Sequence, residues 1–318
     1  MKRVLFISYS QTGQLASVVA SVAAPLVSSP SIEVVMETLE PEEPYPFPWP
    51  FLEFFDTFPE TVHGAPKPLK PLRVSSDEPF DLVVLAYQVW FLSPSQPIAA
   101  FLKSPEALRL LSGRPVMTLI ACRNMWLMAQ DNVREKLRAL GAHHIDNVAL
   151  TDRAHSAATF VSTPLWMLTG RRGPFLGGAV PAAGIDAADI EAARRFGVAI
   201  AAGLPTLDPA HPRCLLAGLG AVKINENLIA SERIGLRSFR IWGRLLMALG
   251  PPGSAPRRAV LCLYIVFLVL MILTVAPLTA MIKRALAPFT RARIARERSY
   301  FAAPSGEADS GRESLSHA

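Results

Sequence analysis

Short apolar runs alternate with helix-like segments along the first two thirds of the chain. Apolar runs of this length, rich in Val, Ile and Leu, predict buried parallel strands at 4–8, 32–39, 80–87, 115–121 and 145–151. Between or after them, helical periodicity predicts helices at 15–27, 98–111, 127–140 and 186–202. Five strands that alternate with helices predict an α/β fold with a right-handed, doubly wound parallel sheet over residues 1–203.

The alternation stops after residue 203, and the C-terminal third has a different pattern. Arginines at 233, 237, 240 and 244 form a stripe at helical spacing, so 204–258 is predicted to be a linker and a basic amphipathic helix in a membrane interface. Residues 259–282 contain no charge and exceed the length that a membrane span requires, which predicts a transmembrane helix. Residues 283–318 are expected to form a basic and then disordered tail.

The orientation of this helix stays open at the sequence level. Arg257 and Arg258 precede the apolar run, and Lys283 and Arg284 follow it, so the distribution of positive charge selects neither direction. Pro277 also permits a kinked or re-entrant segment that returns the tail to its starting side.

An insertion at 40–72 is dense in proline and aromatic residues, as in the run from Pro44 to Phe51. It is too apolar for a solvated linker. We expect it to fold over the domain as a lid or to face lipid.

Charge is distributed unevenly along the chain. The formal net charge is +6, yet residues 233–298 contain twelve Lys or Arg and one acid, Glu297. The basic character therefore belongs to the apolar region, which favours anionic lipid as a partner and argues against nucleic acid.

Three widely spaced cysteines match no metal site, and the short apolar start predicts no secretory leader. We therefore expect a cytoplasmic membrane protein whose N-terminal domain faces the cytoplasm.

The loop after the first strand has the composition of a phosphate site. Small hydroxyl residues and one glycine precede a helix, so backbone N–H groups and the helix N-terminus can converge on a phosphate. The candidate residues are Ser8, Ser10, Gln11, Thr12, Gly13, Gln14 and Leu15. A single glycine and no Gly-Lys-Ser/Thr exclude dinucleotide and Walker-type loops, but an ordinary polar turn capped by Thr12 remains an alternative.

Two further loops leave the same edge of the predicted sheet, and each places an aromatic beside polar groups. A flavin ring requires flat apolar walls and a few polar contacts. The candidate contacts are Gln88, Val89, Trp90, Phe91, Leu92 and Ser93 after the third strand, and Cys122, Arg123, Asn124, Met125 and Trp126 after the fourth. Arg123 is the candidate catalytic residue that orients an anionic substrate or the ring edge, with a plain surface arginine as the alternative; Trp90 and Trp126 are alternatively core residues.

The segment from Tyr9 to Gln14 resembles the flavodoxin phosphate loop, and the resemblance extends over about residues 1–203. It implies a flavodoxin-like fold that binds FMN, although Leu15 stands where that pattern usually has a hydroxyl residue. The aromatic insertion and the loops at 88–97 and 122–130 more closely resemble flavodoxin-like proteins of dialkylresorcinol biosynthesis, called condensing enzymes. That resemblance implies oxidative aromatisation of a cyclohexanedione made by a partner ketosynthase.

Three functions remain open from these patterns. The first is an FMN-dependent oxidoreductase acting on an apolar small molecule that partitions into the membrane. The second is a membrane-tethered electron carrier, and the third is a scaffold that has lost the cofactor.

Overall fold

The computed structural model describes residues 1–154 and 156–305, and the side-chain surroundings of all of these except 156, 157 and 275–289. The predicted disordered segment from 306 onward lies outside the described residues.

A five-stranded parallel sheet forms the centre of the N-terminal domain. The strands and a small hairpin are β1 Lys2–Ser8, β2 Ile32–Thr38, β3 Leu82–Tyr87, β4 Val89–Trp90, β5 Ser93–Pro94, β6 Pro115–Cys122 and β7 His143–Thr151. The large sheet has the order β2-β1-β3-β6-β7 with every pair parallel. This is the strand order of the flavodoxin-like fold, so the predicted fold class is confirmed.

The helices of this domain cover both faces of the sheet. They are α1 Gln14–Val27, α2 Phe51–Asp56, α3 Phe58–His63, α4 Gln96–Phe101, α5 Pro105–Leu111, α6 Leu127–Ala139, α7 Ser156–Thr169, α8 Ala187–Ala192 and α9 Arg194–Gly203. Successive strand residues point to opposite faces, so Val4 and Phe6 pack with α1 and α9, whereas Leu5 and Ile7 pack with α4, α5 and α6. Burial on both faces explains why the strands read as continuous apolar runs.

Two predicted helices are each divided in the structure. The segment 98–111 breaks at Ser104, whose Oγ accepts the N–H of Ala107 at 3.2 Å and starts α5. The segment 186–202 breaks at Ala193, and the Asp186 side chain makes no capping hydrogen bond to α8. The helices α2, α3 and α7 were not predicted.

The C-terminal third contains two long helices, α10 Glu226–Ala248 and α11 Ala255–Ala302. The first 20 residues of α11, Ala255–Thr274, are long and apolar enough to cross a membrane. Its helical structure extends well beyond the predicted end at 282, and Ser305 just past it is buried. The described part of the predicted tail thus belongs to α11 as far as Ala302, and Ser305 packs on the domain.

The segment that follows residue 203 packs against the outer strand of the sheet. Ala149 of β7 donates its N–H to the Ala221 carbonyl at 2.9 Å. The buried Asp146 carboxylate accepts hydrogen bonds from Cys214 Sγ, the N–H groups of Leu215 and Leu216, and Ser305 Oγ. Residues on both sides of the predicted boundary at 203/204 thus share one core, and the edge of the sheet is covered.

Candidate functional site

The loop between β1 and α1 lies at the carboxyl edge of the sheet and ends in a tight turn. Gly13 has φ of 79°, a left-handed conformation that glycine adopts without steric cost, and α1 begins at the next residue. No atom lies within 4 Å of the position that a Gly13 Cβ would take. The turn at Gly13 therefore leaves open space beside the start of α1, and we call this region the cradle.

Several side chains of this loop hold its shape. Ser10 Oγ accepts the N–H of Ala16 at 3.2 Å. Gln11 donates its N–H to Gln88 Oε1 at 3.3 Å, and its side-chain amide donates to the Tyr45 and Pro46 carbonyls at 3.2 and 2.7 Å. Gln11 thus connects the loop to the aromatic insertion. The N-cap of α1 is Gly13, and Ser10 supplies an acceptor for one first-turn N–H group.

Leu15 is fully buried in the core between α1 and the sheet. Its side chain therefore belongs to the core and faces away from the loop. Its predicted contact with a phosphate is therefore restricted to the main chain.

The loop after β3 forms a two-residue hairpin turn between β4 and β5. Phe91 and Leu92 both have positive φ, 48° and 61°, as a type I′ turn requires. Phe91 packs on Phe58 and on Phe239 of α10 with ring centroids 5.9 and 5.7 Å apart, and Leu92 is buried. Both side chains thus pack toward the C-terminal helix, and Ser93 is also buried. That these three residues contact a flavin stays a prediction.

Trp90 lies at the centre of an aromatic cluster. Its ring makes edge-to-face contacts with Tyr9, Tyr45 and Trp49 at centroid distances of 6.0, 5.0 and 5.8 Å. Two of these rings come from the insertion at 40–72, which is therefore folded over the carboxyl edge of the sheet. Burial raises the pKa of Tyr9 and Tyr45, so both phenols remain protonated at neutral pH.

The residues of the loop after β6 differ in burial. Trp126 is 2% exposed and belongs to the core, and its contact with a flavin stays a prediction. Cys122, Asn124 and Met125 are partly buried beside it. Burial raises the pKa of the Cys122 thiol, which keeps this sulfur protonated and unreactive.

Arg123 lies beneath α7, with its guanidinium 4.0 Å from the centre of the Phe160 ring. Burial lowers its pKa to about 10, so it carries a positive charge at neutral pH. Its carbonyl accepts the N–H of Asp152 at 2.9 Å. The stacked cation is thus held at the carboxyl edge next to the predicted ring site.

Glu232 of α10 is an ionisable residue of this region that the sequence pattern did not indicate. It is fully buried, and its Oε2 accepts the N–H of Met128 at 3.0 Å at the start of α6. Burial raises its pKa to about 8, against the opposing effect of the backbone N–H groups around Trp126. No local signal marks this contact because 104 residues separate its two partners.

Among the described residues, no group of three or more His, Cys, Asp or Glu is placed to hold a metal ion. The candidate site brings together the cradle at Gly13, an aromatic cluster and one stacked arginine. These groups can hold a phosphorylated, flat aromatic molecule.

Comparisons with known proteins give similarity in structure only. No family model matches the chain, and no curated protein matches it. A flavoprotein from Lactobacillus acidophilus NCFM in complex with FMN is 15% identical, with a TM-score of 0.38 over 47% of this chain and 93% of its own. A flavodoxin from the domain Archaea is 11% identical over 64% of this chain and 99% of its own, with a TM-score of 0.36.

A flavodoxin, WrbA-like protein from Agrobacterium tumefaciens is 8% identical over 65% of this chain and 99% of its own, with a TM-score of 0.35. Identities this low concern the fold alone. The strand order is what assigns the fold here.

Proposed function

We propose that this protein is an FMN-dependent oxidoreductase that acts on an apolar small molecule at a membrane. The observation that carries the proposal is the cradle around Gly13, placed between the carboxyl end of β1 and the start of α1. In sheets of this order, FMN lies at the carboxyl edge where the strand order reverses, next to β1 and β3. When bound, the flavin supplies two-electron chemistry by accepting a hydride.

The chain's residues fit the phosphate of FMN better than its ring. The backbone N–H groups of Gly13, Gln14 and Leu15 and the hydroxyl of Thr12 would hold the phosphate. Trp90, Val89 and Met125 would border the ring, and Gln88, Cys122 and Asn124 would lie near its polar edge. Arg123 would orient an anionic substrate oxygen or the pyrimidine edge, because its charge persists at neutral pH.

The covered carboxyl edge favours an enzyme over an electron carrier. A carrier exposes the edge of its flavin to partner proteins, whereas here the rings of Tyr45 and Trp49 pack over Trp90. Aromatic walls of this kind suit an apolar substrate and exclude water. A soluble electron-transfer partner would meet the insertion before it reached the site.

In its most specific form, the proposed reaction is the aromatisation of a dialkylcyclohexanedione to a dialkylresorcinol. This reaction removes two electrons and two protons from the ring, with one hydride passing to the flavin and one proton to a base or to water. A ketosynthase that makes the cyclohexanedione would be the partner. The choice of this substrate is based on the resemblance of the insertion and the loops to proteins of dialkylresorcinol biosynthesis. The cradle supports only the choice of FMN as the cofactor.

The decisive experiment compares flavin content in two variants that add the same charge. Thr12→Glu places a carboxylate beside the cradle, where it repels the phosphate, so the purified protein should lose at least tenfold in bound FMN. Ala20→Glu adds the same charge at an exposed position of α1, two turns away from the cradle, and should retain FMN. Flavin released by heat and separated by chromatography distinguishes FMN from riboflavin and FAD.

Equal FMN content in both variants would show that the FMN phosphate does not bind at the cradle. A parent protein that purifies without flavin and binds none on reconstitution would favour the scaffold function. Unchanged thermal unfolding in Thr12→Glu shows that the loss reflects the cradle and not misfolding.

A further inference from the structure

Both ends of the apolar helix α11 contact the same α/β domain. Near its start, Arg257 is fully buried and donates to Asp56 Oδ1 at 2.6 Å and to Glu60 Oε1 at 2.7 Å. Near its end, the Tyr300 hydroxyl donates to Asp131 Oδ1 of α6 at 2.5 Å. Three residues past the helix, Ser305 Oγ donates to Asp146 Oδ1 of β7 at 2.6 Å.

Two contacts between α10 and α11 show that α11 is bent. Trp242 contacts Tyr264 with ring centroids 5.1 Å apart, and Arg233 forms an ion pair with Glu297 at 3.1 Å. Residues 233 and 242 are about 14 Å apart along α10, whereas 264 and 297 would be about 50 Å apart on a straight helix. Two side-chain contacts cannot span that difference, so α11 leaves the domain and returns between these residues.

The sequence between these contacts explains where a bend can form. Pro277 and Pro288 both lie in it. Proline removes a helical hydrogen bond and its ring clashes with the preceding turn, which kinks helices.

The outer surfaces of the two helices are apolar. Leu263, Val266, Val269, Leu270 and Leu273 are exposed on α11, on the face opposite the buried Leu261 and Tyr264. On α10 the outward residues Ile234, Ile241 and Leu245 are exposed at 59%, 65% and 46%. Such a large exposed apolar surface marks an interaction site.

Basic residues border this apolar surface. On α10, Arg237, Arg240 and Arg244 are exposed on the flank between the buried and the outward faces. On the returning part of α11, Arg291, Arg293 and Arg296 are exposed. Cations beside an apolar surface match the arrangement of acyl chains and headgroups in an anionic bilayer.

We propose that α10 and α11 form a re-entrant anchor that inserts into one leaflet of an anionic phospholipid membrane without crossing it. The outward apolar residues enter the hydrocarbon, and the arginines remain at the headgroups. The domain and the C-terminal end of α11 then lie on the same side. A crossing helix would instead carry Tyr300 and Ser305 to the far side and remove their hydrogen bonds to the domain. This proposal does not depend on FMN.

Topology is tested with the full-length chain in membranes. An epitope tag is placed at the N-terminus in one protein and at the C-terminus in a second, and protease is added to sealed vesicles of each orientation. We expect both tags to be digested in the same vesicles. Digestion of the two tags in opposite vesicles would overturn the proposal.

A cysteine pair tests the return of α11 directly. Arg233→Cys with Glu297→Cys, in a Cys262→Ala background, should form a disulfide in the membrane-bound protein under mild oxidation. Arg244→Cys with Glu297→Cys is the control, because residue 244 lies three helical turns from residue 233. The first pair should cross-link at least tenfold more than the second, and equal yields would show that the two helices do not have this register.

Substitutions on the outward face test lipid insertion. Leu270→Asp with Leu273→Asp should move the protein from the carbonate-washed membrane pellet to the soluble fraction. Leu108→Asp, at an exposed leucine of α5, should leave it in the pellet. Flotation of the purified protein with vesicles should be stronger with phosphatidylglycerol than with phosphatidylcholine alone. Release of the parent protein by carbonate would contradict the insertion.

Discussion

At the scale of single residues, Glu232 links helix α10 to the start of α6. A carboxyl oxygen at a helix N-terminus accepts hydrogen bonds from first-turn N–H groups that have no partner inside the helix. Trp126 stands at the N-cap of α6 without a side-chain hydrogen bond, and Glu232 of α10 supplies the acceptor instead. This contact also lies beside the loop that holds Arg123, so the C-terminal helix supports the candidate site.

Glu232 makes stability depend on pH. Its pKa is raised to about 8 in the folded protein from an ordinary value of 4.5, so the folded state holds a proton that the unfolded state has lost. This group's contribution to the free energy of unfolding therefore falls as pH rises from about 4.5 to 8, by an amount on the order of a few kcal/mol. Glu232→Gln removes this titration, so its melting temperature should exceed that of the parent by an amount that grows between pH 5 and pH 8.

Glu226→Gln on the same helix is the control for that experiment, because Glu226 is exposed. Its melting temperature should follow the parent's at each pH. A constant difference between Glu232→Gln and the parent across this range would show that Glu232 does not titrate there.

At the scale of elements, the packing of α1 on α9 depends on a glycine. A Cβ added to Gly197 would lie 2.0 Å from the Val22 carbonyl oxygen and 2.9 Å from Pro25 Cδ. Backbone contacts this close cannot relax through a rotamer change. The two helices approach here because one of them lacks a side chain.

Gly197→Ala should therefore lower the free energy of unfolding by about 1–3 kcal/mol, measured by thermal or denaturant unfolding. Gly235→Ala on α10 is the matched control, since its Cβ would meet only Leu92 Cδ1, at 3.0 Å. That side chain can move, and alanine is the better helix former by about 1 kcal/mol. Equal destabilisation by both substitutions would contradict the close approach at Gly197.

At the scale of the whole molecule, Arg257 joins the C-terminal helices to the aromatic insertion. Its guanidinium bonds both Asp56 and Glu60, while Gly253 donates its N–H to Asp56 Oδ2 at 2.8 Å. Phe58, between the two acids, packs on Tyr264 with ring centroids 4.8 Å apart. The insertion is thus fixed from both sides, by the candidate site and by the anchor.

Arg257→Ala should destabilise the folded protein by about 3–5 kcal/mol, because it leaves two partly buried carboxylates without their partner. Arg258→Ala, at the exposed neighbouring position, should change stability by less than about 0.5 kcal/mol. Thermal unfolding of the detergent-solubilised protein measures both. Comparable melting temperatures for the two variants would show that the Arg257 contacts do not hold the insertion.

The sequence by itself determined the features that depend on neighbouring residues. Apolar runs specify strands that are buried on both faces, and alternation with helices specifies a doubly wound sheet. The turn at Gly13 and the apolar length of α11 are equally local, since both follow from a few consecutive residue types. For this reason the sequence predicts the position of the loop between β1 and α1, while its binding of phosphate stays a prediction.

Only the tertiary structure decided which aromatic side chains fill the core and which join the cluster at the carboxyl edge. Trp90 and Trp126 occupy similar positions after strands, yet one joins the aromatic cluster at the carboxyl edge and the other fills the core. Leu92 and Glu232 turn inward because α10 packs across the loops after β3 and β6. The return of α11 to β7 has the same origin. Contacts between residues far apart in the chain depend on how whole elements pack, and no local pattern of residue types encodes them.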